Sequence, residues 1–573
     1  MSEDVRPRRI PARERVSRTA RARRSGASPN VEPLEARQLL SEFSGFTRVR
    51  NILTTSGIYN LQIEGPGVLR AAGSGRGTVA VTVLGTTADS SLSITQLRPR
   101  LHVPNEFLTI SSLRIRSGQI GSILAGSAEL DGSLTPLSSS VDTLQFGALG
   151  RNAQIEIGGS VGSMNVQVVN LGPNGRVVID GDLNGISQNG PQGTSAAMQI
   201  STLAIDGGRF LIGRDSLAPI TIAGDLALMR NGLFSIGRDQ AGSLAVGGSL
   251  VLDTGGQLSI GRNLSGLTVG GDLLVNPAAS GIVVGGSLRG MRVDGIFRGQ
   301  GSAAAIDLAV GLNLTGMNIL GGTGDQGGLL AANISVGKNL NGLNVTHGIF
   351  RSWITAGVAI DGVTVGADGI DAILNSEISA GATITNVLLN GDVVSDFPTN
   401  PNATGYPTRI VAGKTRDGRF LPNGSITGLT IEGALIDSVL AASVAPFGGD
   451  GSLPPPVPYG GTPRSCGAPA PGYNGYNAPG GVTDLGEDRI IKNYSIRSLI
   501  EGQLLPFAVY DTAIDPNVDD CILENGTIQA VVRGGVVSTP PGSRLSPPLG
   551  QYDFTGVFAV NTLGVDGGLL PPP

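Results

Sequence analysis

A glycine recurs at a nearly constant spacing through the middle of this 573-residue chain. It follows an apolar residue in most repeats and is found at Gly213, Gly237, Gly261, Gly285, Gly311, Gly337, Gly357 and Gly381, where the residue number rises by 24, 24, 24, 26, 26, 20 and then 24. Earlier coils are traced through Gly158 and Gly181. A near-constant period of this length, without a helical apolar pattern, is typical of repeat proteins whose coils stack on one another. The sequence therefore predicts an all-β fold, a parallel β-solenoid with one coil per repeat.

Apolar residues hold fixed positions around this glycine, which we name the anchor glycine. Around Gly285 they are Val284 just before it and Leu288, Met291 and Val293 at three, six and eight positions after it. Side chains alternate between the two faces of a strand, so positions six and eight point the same way. We expect each column to stack on itself and to form the interior.

The fifth position after the anchor contains glycine in five consecutive repeats and asparagine in the next. Both residue types tolerate a positive φ angle, which most residues avoid. The sequence therefore predicts a left-handed structural corner at Gly266, Gly290, Gly316, Gly342, Gly362 and Asn386. Gly428 is expected to be the same corner after an insertion.

The repeat divides the chain into five segments. Residues 1–42 are an arginine-rich leader that we expect to be disordered, and residues 43–157 are an irregular β segment or amino-terminal cap. Regular coils are predicted over residues 158–447, with room for about 11 coils, and a right-handed coil is the commoner expectation. A proline- and glycine-rich loop follows at residues 448–482. Residues 483–573 return to strand patterns that close the stack, before a proline-rich tail.

Composition limits the classes of function. A net charge of −5 gives no general attraction to nucleic acid. No apolar run approaches the roughly 20 residues of a membrane span. The two histidines, His102 and His347, leave little room for a histidine-based metal site or catalytic triad.

The amino terminus carries a basic leader and a short motif. Nine arginines lie between Met1 and Arg24, against three acidic residues. The segment Val31-Glu-Pro-Leu-Glu-Ala-Arg-Gln-Leu-Leu-Ser41 then resembles the LEPR-xLL motif, found just after a basic leader in large exported or surface proteins of planctomycete bacteria. The matching residues are Leu34, Glu35, Arg37, Leu39, Leu40 and Ser41, and Ala36 stands where the family has proline. The resemblance implies an exported protein, associated with the cell envelope or extracellular.

The two cysteines, Cys466 and Cys521, lie in the carboxy-terminal part of the chain. In an exported protein such a pair forms a disulfide by default, and a loop of this length contributes about 4 kcal/mol in the chain-entropy model. Two unpaired thiols in a reducing compartment are the alternative. Two cysteines are too few for a cysteine-based zinc site.

One acidic segment has the ligand spacing of a calcium loop. Asp515, Asn517 and Asp519 occupy its first, third and fifth positions. The loop form requires glycine at the sixth position and glutamate at the twelfth, but Asp520 and Gly526 stand there. An acidic surface turn is the alternative interpretation, and the sequence indicates no other cofactor.

Catalysis requires acids, bases or donors that converge on one place. The acids of the Gly-Asp-Leu units, Asp182, Asp225 and Asp272, do not occupy successive coils, because Ser249 stands between the last two. A separation of two coils, roughly 9–10 Å, is within the range of a glycosidase pair. No aromatic platform accompanies these acids, since Trp353 is the only tryptophan. We therefore expect no enzymatic activity.

Three arginines follow the anchor glycine in successive coils, at Arg214, Arg238 and Arg262. A patch for anionic glycans is one interpretation. A solvated turn is the favoured one, because Asp215 and Asp239 follow directly and balance the charge.

Taken together, these patterns predict an exported, non-enzymatic β-solenoid that acts as a structural or adhesive component of the cell surface. Its expected partners are envelope polysaccharides or other surface proteins, not nucleic acid or a membrane interior. A β-helix polysaccharide lyase or glycoside hydrolase is the first alternative. A self-assembling filament of the bactofilin kind is the second.

Overall fold

The computed structural model describes residues 45–442 except residues 55–56, 75–77, 100–106, 185–197, 277–279, 302–304, 322–327, 367–370, 396–407, 415–423 and 437. Beyond residue 442 it describes the backbone of short strands between residues 489 and 562. The predicted leader and the loop at residues 448–482 lie outside the described residues. Within the described part of the chain every regular element is a β-strand and none is a helix.

The fold begins with antiparallel pairs. They are formed by β1 (Val49–Leu53), β2 (Gly57–Glu64), β3 (Val68–Ser74), β4 (Thr78–Leu84) and β5 (Ser91–Pro99). β2 pairs with β1 and β5, and β3 pairs with β4. β4 and β5 then pair in parallel with β6 (Leu108–Ile115) and β7 (Ser122–Leu134), so this segment leads directly into the coils. An antiparallel start of this kind occupies an edge that a bare coil would offer to other chains.

The first coils contain long strands that later divide in two. β8 (Val141–Leu149), β10 (Val161–Leu171) and β12 (Met198–Asp206) pair in parallel register. β12 then pairs with two strands at once, β14 (Ile220–Ile222) and β15 (Leu226–Met229). A turn at residues 223–225 separates these two strands. From this point each coil therefore contributes three strands.

Parallel pairing between successive coils builds three ladders, which we name the first, second and third faces. The first face continues from β14 through β17 (Leu244–Val246), β20 (Leu267–Val269), β23 (Leu288–Val293), β26 (Leu314–Ile319), β29 (Asn339–Val345), β32 (Ala359–Val365), β35 (Thr383–Leu389) and β38 (Ser425–Ile436). The second face continues from β15 through β18 (Leu250–Asp253), β21 (Leu273–Val275), β24 (Phe297–Arg298), β27 (Leu329–Leu330), β30 (Ile349–Phe350), β33 (Ile373–Leu374) and β36 (Val393–Val394).

The third face already begins in the coils that contain the long strands. It contains β9 (Gln154–Ile157), β11 (Arg176–Ile179), β13 (Arg209–Ile212), β16 (Leu233–Ile236), β19 (Gln257–Ile260), β22 (Gly281–Val284), β25 (Leu308–Val310), β28 (Asn333–Val336), β31 (Trp353–Ala356), β34 (Glu377–Ala380), β37 (Arg409–Ala412) and β39 (Val439–Ala442). From β11 to β39 it has eleven rungs. The protein is therefore a parallel β-solenoid of about eleven coils of roughly 24 residues, as the repeat predicts.

The predicted apolar columns form the interior. Val284, Leu288, Met291 and Val293 around Gly285, and their counterparts in the neighbouring coils, are each at most 2% exposed. Removing these side chains from water is the main favourable term for a fold of this kind. The columns are therefore the core that holds the coils together.

The anchor glycines lack a side chain because the preceding coil occupies the place of a Cβ atom. A Cβ atom at Gly261 would lie 2.0 Å from the carbonyl oxygen of Gly237, and one at Gly337 would lie 2.1 Å from that of Gly311. The same contact recurs at 2.0–2.2 Å at every anchor from Gly237 to Gly381. The anchor column is thus required by the close approach of backbones and not by a positive φ angle.

A left-handed corner occurs at five of its six predicted positions. The φ angle is 81° at Gly290, 69° at Gly316, 75° at Gly342, 72° at Gly362 and 56° at Asn386, and it is 70° at Gly428. The prediction is wrong at Gly266, whose φ angle lies outside the left-handed range. Its coil makes an isolated bridge at Leu264 and bends before β20 begins, whereas β23 and the later strands continue through the corner.

Parallel strands continue beyond residue 442. They are β40 (Arg489–Lys492), β41 (Ser495–Ile500), β42 (Gln503–Leu505), β43 (Cys521–Glu524), β44 (Thr527–Val532), β45 (Val536–Thr539), β46 (Arg544–Leu545) and β47 (Ala559–Thr562). β40 and β41 pair with β38, and β42 pairs with β39. The parallel stack therefore extends into the segment 483–573.

Candidate functional site

Two of the acids considered for catalysis stabilise a corner instead. Asp225 and Asp272 lie two coils apart with Ser249 between them. Asp225 Oδ1 accepts the N–H of Ser249 at 2.8 Å, and Ser249 Oγ accepts the N–H of Asp272 at 3.2 Å. Asp272 Oδ1 accepts the N–H of Ile296 at 3.0 Å. Each side chain thus satisfies a corner amide of the next coil, a group that the strand ladder leaves without an acceptor.

Asp182 belongs to a different corner. Its Oδ1 accepts the N–H of Asp215 at 3.1 Å, and Asp215 Oδ1 accepts the N–H of Asp239 at 3.0 Å. Asp239 Oδ1 then accepts the N–H of Asn263 at 3.0 Å. The candidate acids are therefore divided between two corners, and they do not converge on one place.

The three stacked arginines lie in exposed positions beside Asp215 and Asp239. The N–H of Arg238 donates to the carbonyl oxygen of Arg214 at 3.1 Å, and that of Arg262 to Arg238 at 2.9 Å. Their backbones are in register, so the guanidinium groups follow one another at the spacing of the coils. Asp215 and Asp239 at the same corner offset part of this positive charge.

Several predicted site residues lie outside the described part of the chain. Asp515, Asn517 and Asp519 of the calcium candidate and Cys466 are among them, while Cys521 is described only as the first backbone position of β43. The calcium site and the disulfide therefore stay predictions.

A different set of side chains forms a polar column on the outer side of the third face. A glycine directly follows β25, β28, β31, β34 and β37 of the third face. Four positions before this glycine, these five successive coils have Asp307, Asn333, Trp353, Glu377 and Arg409. Backbone pairing places Asn333 beside Trp353, Trp353 beside Glu377, and Glu377 beside Arg409. Neighbouring residues are thus about one strand spacing, 4.8 Å, apart. We name these five residues the polar column.

The two ends of the polar column are buried although they lie on the outer side of a sheet face. Outward residues of a flat sheet face are normally exposed, but Asp307 is 0%, Asn333 6% and Arg409 8% exposed. Trp353 and Glu377 between them are half-buried and remain partly accessible to solvent. The two ends of the column are therefore buried, and its centre is partly accessible to solvent.

Hydroxyl groups form a second row beside the polar column, two residues further along each strand. Thr355 Oγ1 and Ser379 Oγ are 3.2 Å apart and share a hydrogen bond. Ser335, in the preceding coil, is 3% exposed, and its Oγ has no hydrogen-bond partner. A buried hydroxyl without a partner costs free energy, and such a group in a native structure is a candidate for binding a ligand or an ion.

Charged groups at the column are held in fixed arrangements. Lys414 Nζ donates to Glu377 Oε1, and both side chains are less than one-fifth exposed. Burial raises the pKa of the Asp307 carboxyl to about 6. The N–H groups of Asn333 and Gln300, which donate to this carboxyl at 2.7 and 3.3 Å, act in the opposite direction on its pKa.

The acids of the polar column are too far apart to form a hydrolytic pair. Asp307 and Glu377 are separated by three rungs, about 14 Å, whereas the two acids of a glycosidase lie roughly 5–9.5 Å apart. Glu377 is also engaged by Lys414. No group of three histidine, cysteine, aspartate or glutamate side chains suited to a metal ion occurs among the described residues. An aromatic ring, an ion pair and two hydroxyl groups therefore lie close together on the outer side of the third face.

Sequence reasoning did not find the polar column. Its signal was the position four residues before the anchor, which is polar or aromatic in five successive coils, from Asp307 to Arg409. The residue types differ from coil to coil, so the column shows no repeat. Only the pairing of the strands brings Trp353, Glu377 and Arg409 together.

No helix in the described part of the chain has the length and apolar character needed to cross a membrane. Comparison with protein-family models, with curated proteins and with solved structures finds no match to this chain.

Proposed function

We propose that this protein is an exported, non-enzymatic β-solenoid that acts as a structural or adhesive component of the cell surface. The arginine-rich leader and the LEPR-xLL-like segment up to Ser41 support export and a planctomycete origin. The extended stack supports a structural role. Eleven rungs at about 4.8 Å give a rod of roughly 50 Å before the strands beyond residue 442 are added.

The rod is stiff because side chains bind successive coils together at the corners. Asp225 and Asp239 each accept an N–H of the following coil, in addition to the backbone ladder. Such links leave little freedom for one coil to bend against the next. A rod of this kind holds its lateral faces at a fixed distance from the point of attachment.

One observation carries the non-enzymatic part of the proposal. Among the acids of the corners and of the polar column, Asp225 and Asp272 satisfy corner amides, and Asp307 and Glu377 lie three rungs apart. Glycoside hydrolysis requires two such groups within reach of one bond. This arrangement favours binding over hydrolysis.

Surface proteolysis of intact cells, followed by fractionation, tests the location. We expect the chain to be cleaved from outside and to fractionate with the envelope or the medium. Complete protection within the cytoplasm would contradict export and favour a bactofilin-like filament.

Incubation of the purified protein with acidic polysaccharides tests the enzymatic alternative. Glu377, Arg409 and Lys414 are the charged groups at the polar column that a β-helix lyase could use. We expect no unsaturated or reducing sugar to be released. Release that is lost in Glu377→Gln would replace the structural proposal by an enzyme.

A further inference from the structure

The polar column differs from the other outer positions of the coils because it contains a tryptophan. It contains the only tryptophan of the chain, Trp353, with an aligned carboxylate at Glu377 and a guanidinium at Arg409. These groups follow one another along the axis of the rod at about 4.8 Å. A ligand that contacts all of them must therefore be elongated and must run across the coils.

We propose that the polar column is a binding site for a saccharide chain, with one pyranose ring stacked on Trp353. The face of an indole ring offers a broad apolar surface, which suits the C–H face of a sugar. Carboxylate, guanidinium and hydroxyl groups beside it can pair with the sugar hydroxyls. The inference rests on the proposed surface function, where polysaccharides are the surrounding polymers.

The balance of charge at the site favours recognition of hydroxyl groups. Lys414 neutralises Glu377, and the pair keeps both donors and acceptors beside the tryptophan. Within hydrogen-bonded networks of this kind each group is fixed before a ligand arrives, which lowers the entropy cost of binding.

The orphaned hydroxyl of Ser335 is an independent indication of a ligand. Its Oγ is buried on the same outer side as the polar column and one coil before Thr355. Thr355 and Ser379 satisfy each other, so the row is complete except at Ser335. A hydroxyl of a bound sugar would supply the missing partner and remove its desolvation cost.

Fluorescence of the full-length protein provides a direct test, because Trp353 is the only tryptophan. Titration with an oligogalacturonate and with a cello-oligosaccharide separates an acidic from a neutral saccharide. We expect one of the two to change the tryptophan emission with saturation. Absence of any change, together with no heat of binding by calorimetry, would overturn the inference.

Variants establish whether binding occurs at the polar column. Trp353→Ala should weaken binding at least about tenfold, or 1.4 kcal/mol, by calorimetry, while Trp353→Phe should retain most of it because a ring remains. Glu377→Gln should weaken binding by a similar factor. Thr268→Val, on the outer side of the first face, is the control and should leave binding unchanged.

Each variant is first compared with the unaltered protein by thermal unfolding, so that loss of binding is read only from folded proteins. Equal affinity of folded Trp353→Ala and the unaltered protein would overturn the inference. Failure of saccharide binding in a protein that is cleaved at the surface of intact cells would refute this site and leave the proposed location standing. Cytoplasmic protection would refute the location independently.

Discussion

Two stretches of the solenoid share one core but differ on the outside. We name residues 209–287 the regular stretch and residues 288–442 the variable stretch. In the regular stretch the anchors are evenly spaced, and the corner before the first face is a bend that follows an isolated bridge, as at Gln240. In the variable stretch the spacing changes from coil to coil, and a left-handed residue such as Gly342 lies inside a continuous strand.

The corner before the third face differs as well. Before β16 and β19 the regular stretch has glycine, and a Cβ atom at Gly232 would lie 2.1 Å from the carbonyl oxygen of Ile205, whereas the buried Ser280 stands before β22. In the variable stretch buried serines stand before β31 and β34, and Ser376 Oγ accepts the N–H of Ser352 at 3.0 Å. At these corners a side-chain hydrogen bond links successive coils, whereas at Gly232 the backbones of successive coils are in close contact.

The outer side of the third face completes the contrast. Val283 in the regular stretch is 44% exposed, whereas Ser335 in the variable stretch is 3% exposed. The core and the anchor contact determine the path of each coil. The residues at the corners and on the outer side can therefore differ between coils. The proposed binding site therefore lies where the repeat departs from its period, as is common for binding residues on a rigid scaffold.

The largest expected effect concerns the feature common to both stretches. Gly261→Ala and Gly337→Ala should each destabilise the protein by about 3 kcal/mol or more, because a Cβ atom would lie about 2 Å from a backbone oxygen. Thermal unfolding followed by circular dichroism measures the loss. Gly266→Ala is the matched control, since its Cβ atom would come no closer than 3.6 Å to any atom. Equal stability of Gly261→Ala and Gly266→Ala would show that the anchor contact is not a constraint.

Asp307→Asn should change the pH dependence of the variable stretch. The pKa of Asp307 is about 6 in the folded protein, above its unfolded value, so the protonated form is favoured by folding. Its contribution to stability is complete below about pH 4 and is lost as pH rises through about 6. Asparagine avoids burying the charge, so at pH 7 the variant should be more stable by on the order of 2 kcal/mol. The measurement is the difference in unfolding temperature between the two proteins across pH 4–7, and a constant difference would contradict the assignment.

The left-handed corner lies in the variable stretch, and an alanine substitution there should lower the free energy of unfolding by about 1–2 kcal/mol. Gly342→Ala places a Cβ atom on a residue with a φ angle of 75°, which costs about that much. Gly342→Asn should cost less, because asparagine is already accommodated at Asn386. Chemical denaturation of both variants measures the difference. A larger loss for asparagine than for alanine would contradict the conformational explanation.

The smallest effect is expected at the corner aspartates, where the two stretches should behave alike. Asp225 accepts the N–H of Ser249, and Asp392 accepts that of Ala434 at 2.7 Å. Replacing either acid by alanine should cost about 1 kcal/mol, since one amide loses its acceptor. Asparagine keeps the acceptor and should cost less. An effect confined to one stretch would show that the corners are not equivalent.

The coil and its interior could be predicted because they depend on local patterns that repeat. The columns around Gly285 are buried as expected, and the left-handed residues occur from Gly290 onward. The prediction at Gly266 is wrong because a glycine in the sequence does not reveal whether a positive φ angle or a lack of room for a Cβ atom requires it. The repeat traced through Gly181 is also one residue out of register, because the backbone aligns Asp180, and not Gly181, with Gly213.

The candidate site could not be predicted because it depends on which outward positions are buried in the folded protein. Asp307 and Arg409 look like ordinary surface residues in the sequence, and their burial arises only in the folded coils. Trp353 was noticed as a single tryptophan, but its neighbours Glu377 and Arg409 lie one and two coils further along the chain. Pairing of the strands, rather than spacing in sequence, assembles the column.

The contact between anchor glycines has a consequence for the history of the chain. Gly261 packs against Gly237, which packs against Gly213. Each coil therefore makes the same contact with the coil before it and with the coil after it. Duplication or deletion of one whole coil reproduces this contact, whereas a partial coil breaks it. The number of coils can therefore change by recombination within the gene, and the rod grows or shortens in steps of about 4.8 Å without a new interface.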